Sequence, residues 1–214
     1  MKSNIKIAVI GGTGKSGKYL IKQLISQGFQ LKALVRNPEN FTIDNPLVEI
    51  VQGNAADYTT ILDLIEGCDA LISTLGLGIP ASEKNIFSTA TTNILRAMEQ
   101  RNIKRYIVIT GLNVDTPFDN KSPKTKFATD WMYTNYPLTT QDKQLEYSIL
   151  TKSTIDWTLI RLPMIEQTDA ECEIQVNMED CPGDIISSTA LALFLINQLS
   201  DNHYIQKSPF IANA

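Results

Sequence analysis

Gly11-Gly12-Thr13-Gly14-Lys15-Ser16-Gly17-Lys18-Tyr19 is the stretch on which the fold turns. It follows an apolar run over residues 5–10. It precedes residues 16–27, which carry Leu20, Ile21, Leu24 and Ile25 on one helical face, with Gly28 placed to end the helix. A strand, a glycine turn and a helix in that order form a phosphate site, because glycines let backbone amides come close and the helix N-terminus carries partial positive charge. Two kinds of turn compete. The P-loop pattern G-x-x-x-x-G-K-[ST] starts at Gly12 and fails at its last letter, where Tyr19 replaces the Ser or Thr that holds magnesium. Moving the frame to Gly14-Lys15-Ser16 restores a serine but puts Val9 in the first glycine's place. The dinucleotide turn fits. Gly11 makes the tight turn, Gly14 admits the pyrophosphate and Gly17 lets helix and strand pack closely, with Thr13, Lys15 and Ser16 completing the loop.

The second strand separates the two nicotinamide coenzymes. An NAD site usually ends this strand on Asp or Glu, which holds the ribose 2′-hydroxyl. Here the chain reads Ala33-Leu34-Val35-Arg36-Asn37-Pro38. Arg36 offers a planar fork to a 2′-phosphate, and Lys15 is a second cation for it, so NADP(H) is expected over NAD(H).

The rest of the chain alternates strands and helices. Strands are expected over 31–35, 48–51, 70–73, 106–109 and 157–160. Helices are expected over 58–65, over 83–101 with Ser82 as N-cap, and over 139–150, with a last amphipathic helix over 185–199. Residues 112–137 and 163–183 read as irregular and are expected to form the substrate wall. This order predicts an α/β fold of the Rossmann type. One domain over residues 1–214 would hold a doubly wound parallel sheet with helices on both faces and a small C-terminal substrate region. Ligands of such a sheet bind beyond the carboxyl ends of its strands.

Composition narrows the partners. A net charge of −4 and scattered Lys and Arg argue against a nucleic-acid surface or an anionic membrane. No apolar run reaches the length of a membrane span and the start shows no cleavable leader, so a cytoplasmic location is expected. Cys68, Cys172 and Cys181 lack a C-x-x-C pair and His203 is the only histidine, so neither a disulfide frame nor a metal site is expected. A monomer and a dimer fit equally well.

With these residues in hand, the chain resembles the atypical short-chain dehydrogenase/reductase superfamily, in its small NAD(P)H-binding subgroup of biliverdin/flavin reductases and nitrogen-metabolite-repression regulators. The resemblance rests on the glycine turn, on residues 34–38 and on Gly53-Asn54-Ala55-Ala56-Asp57. It also rests on Asp69-Ala70-Leu71-Ile72-Ser73-Thr74-Leu75-Gly76, on Arg105 through Gly111, and on residues 156–163. It implies that Asn54 and Ala55 contact the adenine and that Thr74, Leu75 and Gly76 line the coenzyme. It places Thr110 and Gly111 beside the nicotinamide, and Leu162 and Pro163 at the carboxamide.

One departure bears on the reaction. Enzymes of the superfamily use Tyr-x-x-x-Lys as proton donor and its helper. Lys143 matches the lysine and is the ribose candidate, but Thr139 stands in the tyrosine's place. No catalytic residue is therefore assigned, and Thr110 and Lys143 stand nearest to that role. Hydride transfer to a planar conjugated acceptor, such as a flavin or quinone, does without the phenol, because conjugation stabilises the anion formed. Phe118, Phe127, Trp131, Met132, Tyr133 and Tyr136 supply apolar surface for such an acceptor. The leading expectation is thus an NADPH-dependent reductase of a small-molecule acceptor. An NADP(H) sensor with a regulatory protein partner is the alternative, and an epimerase-like enzyme a weaker third.

Overall fold

The computed structural model describes residues 5–76 and 83–214. Six parallel strands form its frame: β1 (Lys6–Ile10), β2 (Gln30–Val35), β3 (Val48–Gln52), β4 (Ala70–Ser73), β5 (Arg105–Gly111) and β6 (Asp156–Leu162). Helix α1 (Gly17–Ser26) joins β1 to β2, α2 (Tyr58–Ile65) joins β3 to β4, and α3 (Ile86–Arg101) joins β4 to β5. Two helices, α4 (Pro123–Asn135) and α5 (Pro137–Leu150), fill the crossover from β5 to β6. The chain then forms β7 (Met164–Glu166), β8 (Ile174–Asn177), β9 (Ile185–Ser187), α6 (Ser188–Asn197) and β10 (Phe210–Asn213).

The main sheet runs β3-β2-β1-β4-β5-β6-β10-β8, and β7 pairs with β9 in a small parallel sheet of its own. The order reverses between β1 and β4, so the switch-point crevice opens there. Among the described residues only the edge strand β8 runs antiparallel, against β10.

Both faces of the sheet are covered, as the near-continuous apolar strands require. Ile7 and Val9 of β1 pack with Leu20, Ile21 and Leu24 of α1 and with Leu191 and Leu195 of α6. Ala8 and Ile10 pack on the other side with Ile61, Leu64 and Ile65 of α2 and Ile94, Ala97 and Met98 of α3. Each of the larger side chains contributes about 1.5–3 kcal/mol by leaving water. Local chemistry sets the helix ends. The Asp57 carboxylate accepts the Thr60 hydroxyl at 2.8 Å and the Thr59 amide at 3.0 Å, and these bonds, the first above all, hold its pKa down. Gly28 takes φ +79° just past Gln27, the C-cap of α1, in the left-handed backbone that glycine tolerates.

Three expectations need correction. Residues 112–137 are not irregular throughout, because Ser122 caps Thr125 and Pro123 opens α4 at a position where its missing N–H costs nothing. Residues 163–183 hold β7 and β8. The segment 185–199 begins as strand β9, and the helix starts only at Ser188, capped by Ser187. The tail adds β10, inserted between β6 and β8. The Ser82 cap lies outside the described residues, among which α3 begins at Ile86 after Asn85.

Candidate dinucleotide site

The glycine turn sits at the switch point and is packed against the end of β4. Gly11 takes φ +81°, and a Cβ there would lie 2.5 Å from the Thr74 carbonyl oxygen. Thr74 in turn donates its amide to Ile10 O at 2.9 Å and its hydroxyl to the same oxygen at 3.2 Å. A Cβ on Gly17 would lie 2.0 Å from Gly11 O, so only glycine lets α1 start this close to the strand. Gly14 closes the turn with its amide on Gly11 O at 2.9 Å, and a Cβ there would meet nothing else within 4 Å. Its outer face is open. Thr13 and Lys15 are exposed, Ser16 is buried, and α1 has neither an acidic residue in its first turn nor a side-chain cap. That leaves an uncompensated positive helix end facing the crevice.

The other candidates follow along the same edge. Arg36 is exposed one residue past β2, beside the β3 end, where the Gly53 amide donates to Val35 O at 3.1 Å. Asn54 is exposed and accepts the Ala56 amide at 3.1 Å, which turns the chain into α2, and Ala55 is buried. Leu75 is half-buried, and Gly76 is exposed with open space where a Cβ would stand. On β5 and β6 the register pairs Thr110 with Arg161 and Gly111 with Leu162, so Thr110, Gly111, Leu162 and Pro163 lie at one level. A Cβ on Gly111 would stand 2.3 Å from Asn113 Oδ1. The structure thus brings these candidates to a single edge, the carboxyl ends of the parallel strands.

Thr110 carries the site's clearest vacancy in hydrogen bonding. Its hydroxyl is buried and has no partner among the described residues. A buried donor left this way costs about 1–3 kcal/mol, a loss that a bound polar group removes.

Lys143 is placed differently from an open ribose ligand. Its ammonium is buried, donates to Glu146 Oε2 at 2.8 Å and to Ile109 O at 3.2 Å, and lies 3.9 Å from the Phe87 ring centroid. Burial holds the Glu146 carboxyl above its ordinary pKa, opposed by the Lys143 charge. Glu146 also accepts from Thr91 at 2.9 Å, and Asp142 accepts the Phe87 amide at 2.8 Å, so this acidic pair fastens α5 to α3. Tyr106 is fully buried beside Thr91, and burial drives its phenol pKa well up.

Sequence reading missed a second group at the β6 end. The Arg161 guanidinium is completely buried, bound to both oxygens of Asp119 at 2.6 and 2.8 Å, and donates to Ser208 O, Val114 O and Met178 O. Lys121 adds bonds to Leu112 O at 2.9 Å and Asp115 at 2.7 Å. Together they fix the segment that follows Thr110. The signal was present in Leu159-Ile160-Arg161-Leu162, since an arginine inside a buried strand must find a carboxylate.

The match to known proteins agrees with this geometry. A family model described as NAD(P)H-binding matches residues 11–202. The chain belongs to this NAD(P)H-binding family. Phenylcoumaran benzylic ether reductase 1 of Arabidopsis thaliana is 31% identical over 141 residues, 60% of this chain and 43% of that protein. The chain therefore spans less than half of that relative's length. A short-chain dehydrogenase/reductase from Veillonella parvula, solved in complex with NADP, superposes with a TM-score of 0.80 at 14% identity, covering 98% of this chain and 94% of that one. ChuY, an anaerobillin reductase from Escherichia coli O157:H7, gives 0.79 at 16% identity, with 97% of each chain covered. At such identities the solved structures show the shared fold. No helix among the described residues is long and apolar enough to cross a membrane, and no group of metal-ligating side chains occurs among them.

Proposed function

We propose that this member of the family is an NADPH-dependent reductase that passes hydride to a planar conjugated acceptor of the flavin or quinone kind. The observation that carries the acceptor class is the apolar rim beyond β6. Met164 is 74% exposed and Ile185 41%, beside Asp184, which is ion-paired with Lys124 at the start of α4. Lys124, Phe127 and Trp131 are spaced to share one helix face, and both aromatics are exposed. A wall of this kind binds a flat, weakly polar molecule by its faces and excludes water from the reacting atoms.

The residues present suit the coenzyme. Amides of the Gly11–Gly17 turn would hold the pyrophosphate, Arg36 and Lys15 the 2′-phosphate, Asn54 and Ala55 the adenine, and Thr110 the nicotinamide side. When bound, the nicotinamide supplies the hydride. The chain's contribution is placement: the Arg161–Asp119 pair fixes the loop after β5, and the Lys143–Ile109 bond fixes the strand end that presents Thr110. Solvent supplies the proton, because the acceptor anion is already stabilised by conjugation.

Loss of the reduced-nicotinamide absorbance in the presence of a flavin and quinone panel tests this reading. Turnover faster with NADPH than with NADH is expected, and a rate at background across the panel refutes it. One observation favours a second reading, an NADP(H) sensor for a protein partner: the Lys143 ammonium is committed to Glu146, and Thr139 stands where the acid catalyst's phenol would be. Tight coenzyme binding without turnover selects that reading.

A further inference from the structure

A small pocket opens on the outer side of β6, away from the glycine turn. Its volume is about 190 Å³, and Tyr147, Thr151, Trp157, Phe118, Met178 and Lys207 contribute to its walls. It is separate from the dinucleotide cradle. β6 lies three strands from β1 in the sheet, roughly 14 Å at the usual strand spacing, and none of the coenzyme candidates lines it.

Three features define its ligand. Tyr147 and Trp157 meet edge to face with centroids 6.3 Å apart at 85°, an aromatic corner that suits a third ring. The Trp157 indole nitrogen is buried with no hydrogen-bond partner among the described residues, and an indole N–H can only donate, so it calls for an acceptor. Lys207 is exposed at the mouth, and its ammonium makes no ion pair among the described residues. Arg161 also lines the pocket, but its charge is matched by Asp119, so the unmatched charge at the mouth is that of Lys207. The volume equals that of about six waters at ~30 Å³ each, enough for one ring with one carboxylate.

The geometry points to a second binding site, for a one-ring aromatic carboxylate. Its ring lies against Tyr147 and Trp157, and its carboxylate between the indole N–H, turned slightly toward it, and the Lys207 ammonium. The site does not depend on the coenzyme assignment.

Nitrogen–proton correlation spectra of the full chain, titrated with benzoate and with uncharged benzamide, test this. The chain has two tryptophans, so two indole signals report, and Trp131→Phe assigns them. Benzoate is expected to move the Trp157 signal to saturation while the Trp131 signal stays in place. Lys207→Ala should weaken benzoate about two- to fivefold, the effect of an exposed ion pair, and leave benzamide unchanged. Thr151→Phe should fill the pocket and abolish both titrations without changing NADPH affinity. An unmoved Trp157 signal, or a Thr151→Phe protein that binds benzoate like the parent, overturns the proposal. Lys207→Ala replaces an exposed side chain and keeps the test decisive should Thr151→Phe fail to fold.

Discussion

Alanine at Gly14 and at Gly17 should separate the stability of the turn from its affinity for coenzyme. At Gly17 the added Cβ would lie 2.0 Å from Gly11 O, 2.7 Å from Gly11 C and 2.8 Å from Gly12 Cα. All three are backbone atoms, so helix and turn must move apart, and overpacking of this kind costs about 1–3 kcal/mol. For a domain of this size that lowers Tm by roughly 3–9 °C. The displaced amides would also lose one or two charge-assisted bonds to the pyrophosphate, about 1.5–3 kcal/mol, so Kd should rise on the order of 10- to 100-fold. At Gly14 the Cβ meets only Gly11 O, at 3.1 Å, which a few tenths of an ångström relieve. Its stability change should stay within about 0.5 kcal/mol. Its affinity should still fall by about tenfold or more, because the methyl would occupy the face proposed to receive the pyrophosphate. Gly28→Ala is the control. It forces alanine to φ +79° in open space, costs roughly 1–2 kcal/mol and leaves Kd unchanged. Thermal melts and titration calorimetry on the three variants provide the readout. A Gly14→Ala protein that binds NADPH as tightly as the parent refutes the placement of the pyrophosphate.

Other expectations follow from single side chains. Arg36→Glu should weaken NADPH about 10- to 100-fold and improve NADH relative to it, as measured by calorimetry with both coenzymes. Thr110→Val removes the unpartnered hydroxyl, so its Tm should hold or rise while turnover of NADPH with the best acceptor falls. Arg161→Ala removes both guanidinium bonds to the Asp119 carboxylate, which is 9% exposed and keeps only Thr116 and the more distant Lys121, and should cost about 3–5 kcal/mol in denaturant unfolding.

The first half of the fold was legible because its signals are local. The strand ahead of Gly11, the αL glycines after α1 and α2, and the apolar faces of α1, α2 and α3 all follow from residues close together in the chain. The second half depends on distant partners. β10 has four residues and is a strand because all four pair with the distant β8, while Phe210 also stands opposite Arg161 of β6. Helix α4 hides behind two exposed aromatics and a threonine-rich buried face, Thr125 and Thr129, which give no apolar stripe. At the site, the glycines and the β-strand ends were readable from motif and order. The burial of Lys143 against Glu146 was not, because an i,i+3 pair of opposite charge on a helix reads equally well as solvated surface.

Titration calorimetry of the unmodified chain against NADPH, NADH and ATP–magnesium tests the central claim most directly. Amides of the Gly11–Gly17 turn should hold the pyrophosphate and Arg36 the 2′-phosphate, so NADPH should bind about tenfold or more tighter than NADH, with little heat from ATP–magnesium. Heat from ATP–magnesium with none from either nicotinamide coenzyme would contradict it.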